Sequence, residues 1–266
     1  MTEAANGTAS GAAKNPGSIQ VIERMMSLLD ALADSPEPAS LKQLAATAEL
    51  HPSTAHRILA AMTNARFVER QDAGSYRLGI RLLELGAIVK SRINLREVAL
   101  PFMQELHEKI GEAINLGARH DDEIVYLERT SSGRSLVRVV YLVGGRAPLH
   151  LTSLGKLFLA ADGPQKIRDY AKRTGLPGKT PHSLTTLTAL EKEIEKVRRH
   201  GIAYDDEEAE MGLKCVAAPI HDDEGNVVAA LSVSAPADRH DPNWVVQLKQ
   251  TADAVSHALG YINLKK

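Results

Sequence analysis

Apolar positions along the chain fall into runs whose spacing changes from helical to alternating and back. Between Ser18 and Ala33, Ile19, Ile22, Met26 and Leu29 recur every three or four residues, which places them on one stripe of a helix. Prolines in Asp34-Ser35-Pro36-Glu37-Pro38 end it. A second helix opens at Ser40, where Ser40 and Gln43 have the spacing of a capping box and Leu41, Leu44 and Ala45 face inward. It fades at Ala48-Glu49-Leu50. A third opens at Pro52, a residue suited to a first helical turn, and runs through Ile58, Leu59 and Met62 towards Ala65. The period then drops to two. Phe67–Arg70 and Ser75–Leu78 flank the polar turn Gln71-Asp72-Ala73-Gly74 and predict a short hairpin. Three helices and a hairpin over residues 18–80 predict a winged helix-turn-helix, a pattern shared with small helical interaction modules. From Arg81 to Ile93 a further helix carries Leu82, Leu85 and Val89 in register. It has too little apolar surface for a core of its own, so residues 81–94 read as a linker helix that packs on a partner.

From Leu95 the pattern is mixed. It predicts a helix over Pro101–Ile110, strands over Ala113–Ala118 and Ile124–Glu128 joined at His120-Asp121-Asp122, and a third strand over Val137–Val143. Helices follow at Thr152–Ala161 and Thr188–His200. The latter has a Thr188/Glu191 capping box, an apolar face of Leu190, Ile194 and Val197, basic residues at its negative end and Gly201 as its stop. Strands over Cys215–Ile220 and Val227–Val233 flank Asp223-Glu224-Gly225-Asn226, and an amphipathic helix over Trp244–Leu259 closes the chain. The whole reads as α+β, with a sensor-like domain over residues 95–266.

Composition narrows this. A length of 266 residues with 44% apolar residues suits one large domain or two ordinary ones. The first seventeen residues are small, polar and Gly-rich without the apolar core of a signal peptide, so residues 1–17 read as a disordered tail. No run approaches the roughly 18 apolar residues that span a bilayer. The single cysteine, Cys215, excludes an intrachain disulfide and fits a reducing cytoplasm. A net charge of −1 carries no basic signature, so any case for DNA must be local. Within residues 51–92, Arg57, Arg66, Arg70, Arg77, Arg81, Lys90 and Arg92 face only Glu69, Asp72 and Glu84. Basic side chains so placed supply phosphate contacts, although Lys90 and Arg92 read better as a solvated face.

Three stretches carry a resemblance. They are His51-Pro52-Ser53-Thr54-Ala55-His56-Arg57-Ile58-Leu59; Gly144-Gly145-Arg146-Ala147-Pro148-Leu149-His150 with Ser153-Leu154-Gly155-Lys156; and Gly201-Ile202-Ala203-Tyr204-Asp205-Asp206-Glu207-Glu208 with Gly212-Leu213-Lys214-Cys215-Val216-Ala217-Ala218-Pro219-Ile220. In this order they resemble the IclR family of transcriptional regulators, from about Ser18 to Leu264. Leu154 departs from a position where that family often has a small residue. The resemblance implies a winged helix-turn-helix joined to a GAF-like effector domain. It also implies a homodimer or homotetramer on palindromic double-stranded DNA operators, and a response to small organic acids, some of them aromatic. Some members repress, some activate and some do both. No cofactor or metal is expected.

In such a protein the first turn of the reading helix enters the major groove, which puts Ser53, Thr54 and Arg57 nearest the bases and His56 next. The plainer reading of Ser53 and Thr54 is capping and phosphate contact. Arg70 and Arg77 on the hairpin are spaced for DNA backbone or minor groove, and Tyr76 for the wing core. Free N–H groups at Thr152-Ser153-Leu154 form a helix terminus suited to anions. The resemblance sets a pocket between that terminus, the strand Leu136–Val139 and the Asp205–Cys215 segment. Ser232 and Ser234 flank Val233 and so share a face. The effector set is therefore Leu136, Val139, Ser153, Leu154, Asp205, Leu213, Cys215, Ser232 and Ser234. It holds no arginine, so an acid would rest on neutral donors, with Asp205 facing a hydroxyl or similar donor on the ligand. Taken singly, Cys215 reads as an inert buried thiol and Asp205 as a turn cap.

The alternative function is a thiol-dependent enzyme using Cys215 with His150 and Asp205. No nucleophile elbow or oxyanion motif accompanies them, and a strand-borne thiol in an apolar run is unreactive. His150, His182, His221 and Cys215 lack zinc-ligand spacing. A purely structural interaction protein would explain the linker helix but not the reading helix with its wing.

Overall fold

The computed structural model describes residues 20–35, 38–71, 74–130 and 143–262, with the backbone alone at 89–92. The tail, Leu136, Val139 and nearly all of the strand expected over Val137–Val143 lie outside them, as does the side chain of Val89. The chain divides into two units, meeting between Arg92 and Ile93.

In the first unit, α1 (Gln20–Ala33) precedes a two-residue strand, β1 (Ala39–Ser40), then α2 (Leu41–Thr47) and α3 (Pro52–Asn64). β2 (Val68–Arg70) and β3 (Ser75–Leu78) form the wing, and α4 (Ile80–Arg92) follows. The core joins Leu28, Leu32, Leu44, Ala55, Leu59, Met62, Val68 and Tyr76. Helix α1 buries Leu28, Ala31 and Leu32 and leaves Ile22 and Met26 about half exposed, which corrects the expected stripe. This helix has two overlapping apolar stripes, and spacing alone does not choose between them. Ser40 caps α2 as expected: its N–H donates to Gln43 Oε1 at 2.9 Å while its Oγ accepts from Gln43 N at 3.3 Å. β1 pairs with β3, Ala39 opposite Tyr76, in the order β1-β3-β2. Two residues are too few to show alternation, so β1 left no sequence signal. On α4, Leu82 and Leu85 are partly covered, while Ile80, Leu83 and Ile88 are exposed.

The second unit opens with α5 (Leu95–Ile110), β4 (Ala113–His120) and β5 (Glu123–Thr130). Helix α5 starts six residues before Pro101, at an Asn94 cap that accepts from Arg96 N at 3.1 Å. The capped first turn and the burial of Ala99, Met103 and Leu106 carry the helix through a proline that removes one backbone bond. Then come β6 (Arg146–Pro148), a 3-10 turn at Leu149–Leu151, α6 (Ser153–Ala161), α7 (Pro164–Thr174) and α8 (Leu187–His200). α7 buries only Ile167 and Tyr170, too few for a periodic signal, and the sequence reading missed it. Thr186, not Thr188, caps α8, accepting from Ala189 N at 3.3 Å, and Gly201 ends it at φ 68°. β7 (Ala203–Asp206), β8 (Leu213–His221), β9 (Val227–Pro236) and α9 (Trp244–Ala258) complete the unit.

Among the described residues the second unit has one six-stranded antiparallel sheet, ordered β6-β5-β4-β9-β8-β7. One face is apolar: Ile114, Leu116, Val216, Leu231 and Val233 pack with Met103 of α5 and Leu248 of α9. The other packs α6 across β4, β7, β8 and β9, with α8 behind it. The architecture is α+β, as expected.

Candidate functional site

The first candidate surface is the exposed side of α3. Its cap is His51, whose Nδ1 accepts from Ser53 N at 3.4 Å and lies 2.8 Å from Ser53 Oγ. This cap, missed in the sequence, engages the Ser53 hydroxyl. Ala55, Leu59 and Met62 bury one side of the helix, which turns Ser53, His56 and Arg57 to solvent and leaves Thr54 half-buried. Arg57 and Arg70 have no ion pair among the described residues. Arg77 instead stands opposite Glu69 and donates to its Oε2 from Nε at 2.9 Å and from the terminal nitrogen at 2.6 Å. That bond, then the arginine's charge, holds the Glu69 carboxyl below its usual range. Arg66 and Arg81 both pair with Glu84. The local basic surplus is thus partly neutralised, and Arg57 and Arg70 are its unpaired members among the described residues. Tyr76 is buried in the wing core.

The second candidate is a polar row on the α6 side of the sheet. Register sets Arg129 opposite Asn115 and Asn115 opposite Ser232; one step along, Ala113, Ser234, Cys215 and Asp205 stand abreast. Directly paired residues share a face. Asn115 Nδ2 donates to Ser232 Oγ at 3.3 Å and Ser234 Oγ at 3.0 Å, and Cys215 Sγ lies 3.1 Å from Ser234 Oγ. The structure therefore brings Asp205, Cys215, Ser232 and Ser234 together. Asn115 and Arg129 were missed; the readable signal was one buried amide at an alternating position of an apolar strand. Leu213 is buried on β8, while Leu154 sits in the core below α6, its Cδ1 about 3.0 Å from where a Cβ on Gly117 would be. Ser153 is the first residue of α6, buried beside the cap Thr152, whose Oγ1 accepts from Gly155 N at 3.0 Å.

Asp205 Oδ1 accepts from Glu208 N at 2.8 Å and Ala209 N at 3.3 Å, closing the turn after β7. Burial pushes its carboxyl up to about 7, against those two N–H groups and with help from the neighbouring Glu208. Fully buried Lys156 bonds Glu208 Oε1 at 2.5 Å and Tyr204 O at 2.7 Å. Burial outweighs that ammonium and raises the Glu208 carboxyl as well.

Burial pushes the Cys215 thiol far up, with Asp205 adding to the shift, so the sulfur is a neutral thiol. His150 Nδ1 lies 2.7 Å from the Tyr170 hydroxyl and its Nε2 3.2 Å from Pro177 O; burial lowers its pKa. Cys215, His150 and Asp205 each have other partners, and no triad forms. A cavity of about 480 Å³ between α8 and β7, lined by Lys196, His200, Tyr204 and Asp206, contains none of the sequence-derived site residues.

A winged helix-turn-helix followed by an α+β unit of this topology defines a class, the DNA-binding transcriptional regulators. Residues 21–72 match the IclR helix-turn-helix domain, and residues 87–257 match the family described as bacterial transcriptional regulator IclR C-terminal. An HTH-type transcriptional regulator of Haemophilus influenzae is 33% identical over 256 residues, covering 92% of this chain and 94% of its own length. Among solved structures, the Agobacterium tumefaciens repressor BlcR aligns with a TM-score of 0.83 at 26% identity, covering 92% of this chain and 99% of that one. An IclR homologue complexed with 4-hydroxybenzoate, from Microbacterium hydrocarbonoxydans, aligns with a TM-score of 0.59 at 29% identity, covering 90% and 99%. The chain belongs to the IclR family: it is a transcriptional regulator with a DNA-binding helix-turn-helix and a C-terminal effector domain, not an enzyme.

Proposed function

We propose that a small organic acid, hydroxylated or aromatic, binds on the polar row of the effector domain and controls how the winged helix-turn-helix grips its operator. The observation that carries this reading is the row itself: Asn115, Ser232, Ser234, Cys215 and Asp205 are buried side by side in a sheet whose other buried positions are mostly aliphatic. Small-ligand pockets combine apolar walls with a few convergent polar groups. Leu136, Val139, Ser153, Leu154 and Leu213 complete the proposed lining. The hydroxybenzoate complex of the Microbacterium hydrocarbonoxydans homologue supports an acid with a hydroxyl. Residues 18–80 would be the DNA-binding domain, 81–94 the linker helix and 95–266 the effector domain, working as a homo-oligomer in the cytoplasm.

On DNA, Ser53, Thr54, His56 and Arg57 face the major groove, and Arg70 reaches the phosphates without first leaving another partner; Arg77 must release Glu69. Mobility shifts on the chain's own promoter region test this. Arg57→Ala should lose operator preference, because a bidentate arginine–guanine contact discriminates by about 1–3 kcal/mol. Arg70→Ala should weaken binding to all sequences alike and flatten its salt dependence. Unchanged operator preference in Arg57→Ala would remove Arg57 from base reading, and failure of the wild type to shift this DNA would end the assignment to this promoter.

A further inference from the structure

The polar row has two unfilled valences, and they are neighbours. Asn115 spends its amide N–H groups on Ser232 and Ser234, and its carbonyl oxygen, fully buried, has no hydrogen-bond partner. Across the strand pair, Arg129 buries its Nε, which likewise has no partner. The adjacent carboxylate does not neutralise this guanidinium. Glu128 pairs with Arg96 of α5 at 2.6 Å, on the opposite side of the sheet, and its bond with Arg129 is to the backbone N–H, at 2.8 Å, not to the guanidinium. Desolvation lowers the arginine's pKa, and Cys215 in the next row lies within its electrostatic reach. A half-buried guanidinium with an unfilled donor, beside a buried amide oxygen with an unfilled acceptor, is costly for a fold that gains nothing from it.

We propose that Arg129 receives the carboxylate of the ligand and that the Asn115 carbonyl oxygen accepts from a donor group on the same ligand. This rests on the reading of the polar row as the effector pocket. It replaces the expectation that neutral donors alone hold the acid. Arginine's planar fork matches a carboxylate, and a charge-assisted bond in a site sheltered from water gives discrimination that hydroxyls do not. The pocket then sorts its ligands by charge. Arg129 rewards an anion, while Asp205 on the same row, once ionised, disfavours a second carboxylate and accepts from a hydroxyl.

The test uses the full chain, calorimetry and thermal shift, with 4-hydroxybenzoate, salicylate and lactate each compared with its primary amide. The wild type should bind at least one acid ~10–100-fold more tightly than its amide, the range expected of hydrogen bonds to a charged group. Arg129→Gln should erase that preference. Arg129→Lys, which keeps the charge but loses the fork, should retain part of it; this variant carries the test if the glutamine variant melts early without ligand. If Arg129→Gln keeps the full preference while Ser232→Ala, Ser234→Ala loses binding, the arginine assignment falls and the pocket reading stands. If the serine variant also binds as the wild type does, or none of these acids binds the wild type, the pocket reading falls and the arginine assignment with it.

Discussion

Asp205 concentrates the tension of the site in one side chain. Its carboxyl titrates near 7 when folded, against an ordinary 3.8, because burial outweighs the two N–H groups that bind it. The folded chain therefore holds this proton more tightly than the unfolded chain. The group's contribution to stability is full below about pH 4 and is lost as pH rises through 7. Asp205→Asn keeps an oxygen for the N–H groups of Glu208 and Ala209 and removes the titration. Unfolding free energies from urea titrations should match the wild type near pH 4 and exceed it by a few kcal/mol at pH 8; a variant less stable than the wild type at pH 8 would mean that the turn requires the ionised form. Glu208, also raised by burial, contributes a slope of the same sign in both proteins. At this scale the sequence was legible where partners are close in the chain. The Ser40–Gln43 box could be read directly, and so could the shared face of Ser232 and Ser234. Asn115 and Arg129 could not, because their pairing depends on a β-bulge between Leu116 and Gly117 and on a strand more than 110 residues away.

Among the elements, α6 is held close to the turn that precedes it. A Cβ on Gly155 would lie 2.3 Å from Leu149 O and 2.4 Å from Leu149 Cα, both backbone atoms of the 3-10 turn that feeds the helix. Gly155→Ala must push that turn and the first turn of α6 apart. We expect a loss of about 1–3 kcal/mol, the usual range for overpacking, read as an earlier thermal transition, together with weaker acid binding because Ser153 moves with the turn. An unshifted melting temperature would show that the turn yields freely. Helices with a dense apolar face, such as α3 and α8, were readable from periodicity. Helix α7 was not, since polar residues dominate it, and α5 was cut short because a proline reads as a start when burial on both sides of it is invisible.

At the scale of the whole molecule, the first unit leaves aliphatic surface uncovered on two helices: Ile22 and Met26 on α1, and Ile80, Leu83 and Ile88 on α4, with Leu83 at 68% exposure. Of the expected seam of Leu82, Leu85 and Val89, Leu82 and Leu85 are partly covered, and the side chain of Val89 lies outside the described residues. Sedimentation at micromolar concentration should show a dimer or tetramer, with Leu83→Glu shifting it towards monomer; a monomeric wild type that binds its operator tightly would contradict self-association. The two-part order of the chain was legible because its hydrophobic period changes along the sequence, but which aliphatic faces stay bare is decided by packing between distant elements. The effector sheet, meanwhile, has one largely aliphatic face and one polar row, carried by alternate residues of the same strands. Sliding β9 by one residue would thrust Ser232 and Ser234 among the aliphatic side chains of α5 and α9 and turn Val233 towards Asn115. Misthreaded sheets therefore carry their own penalty, and the groups assigned to holding an effector also proofread the assembly of the strands beneath it.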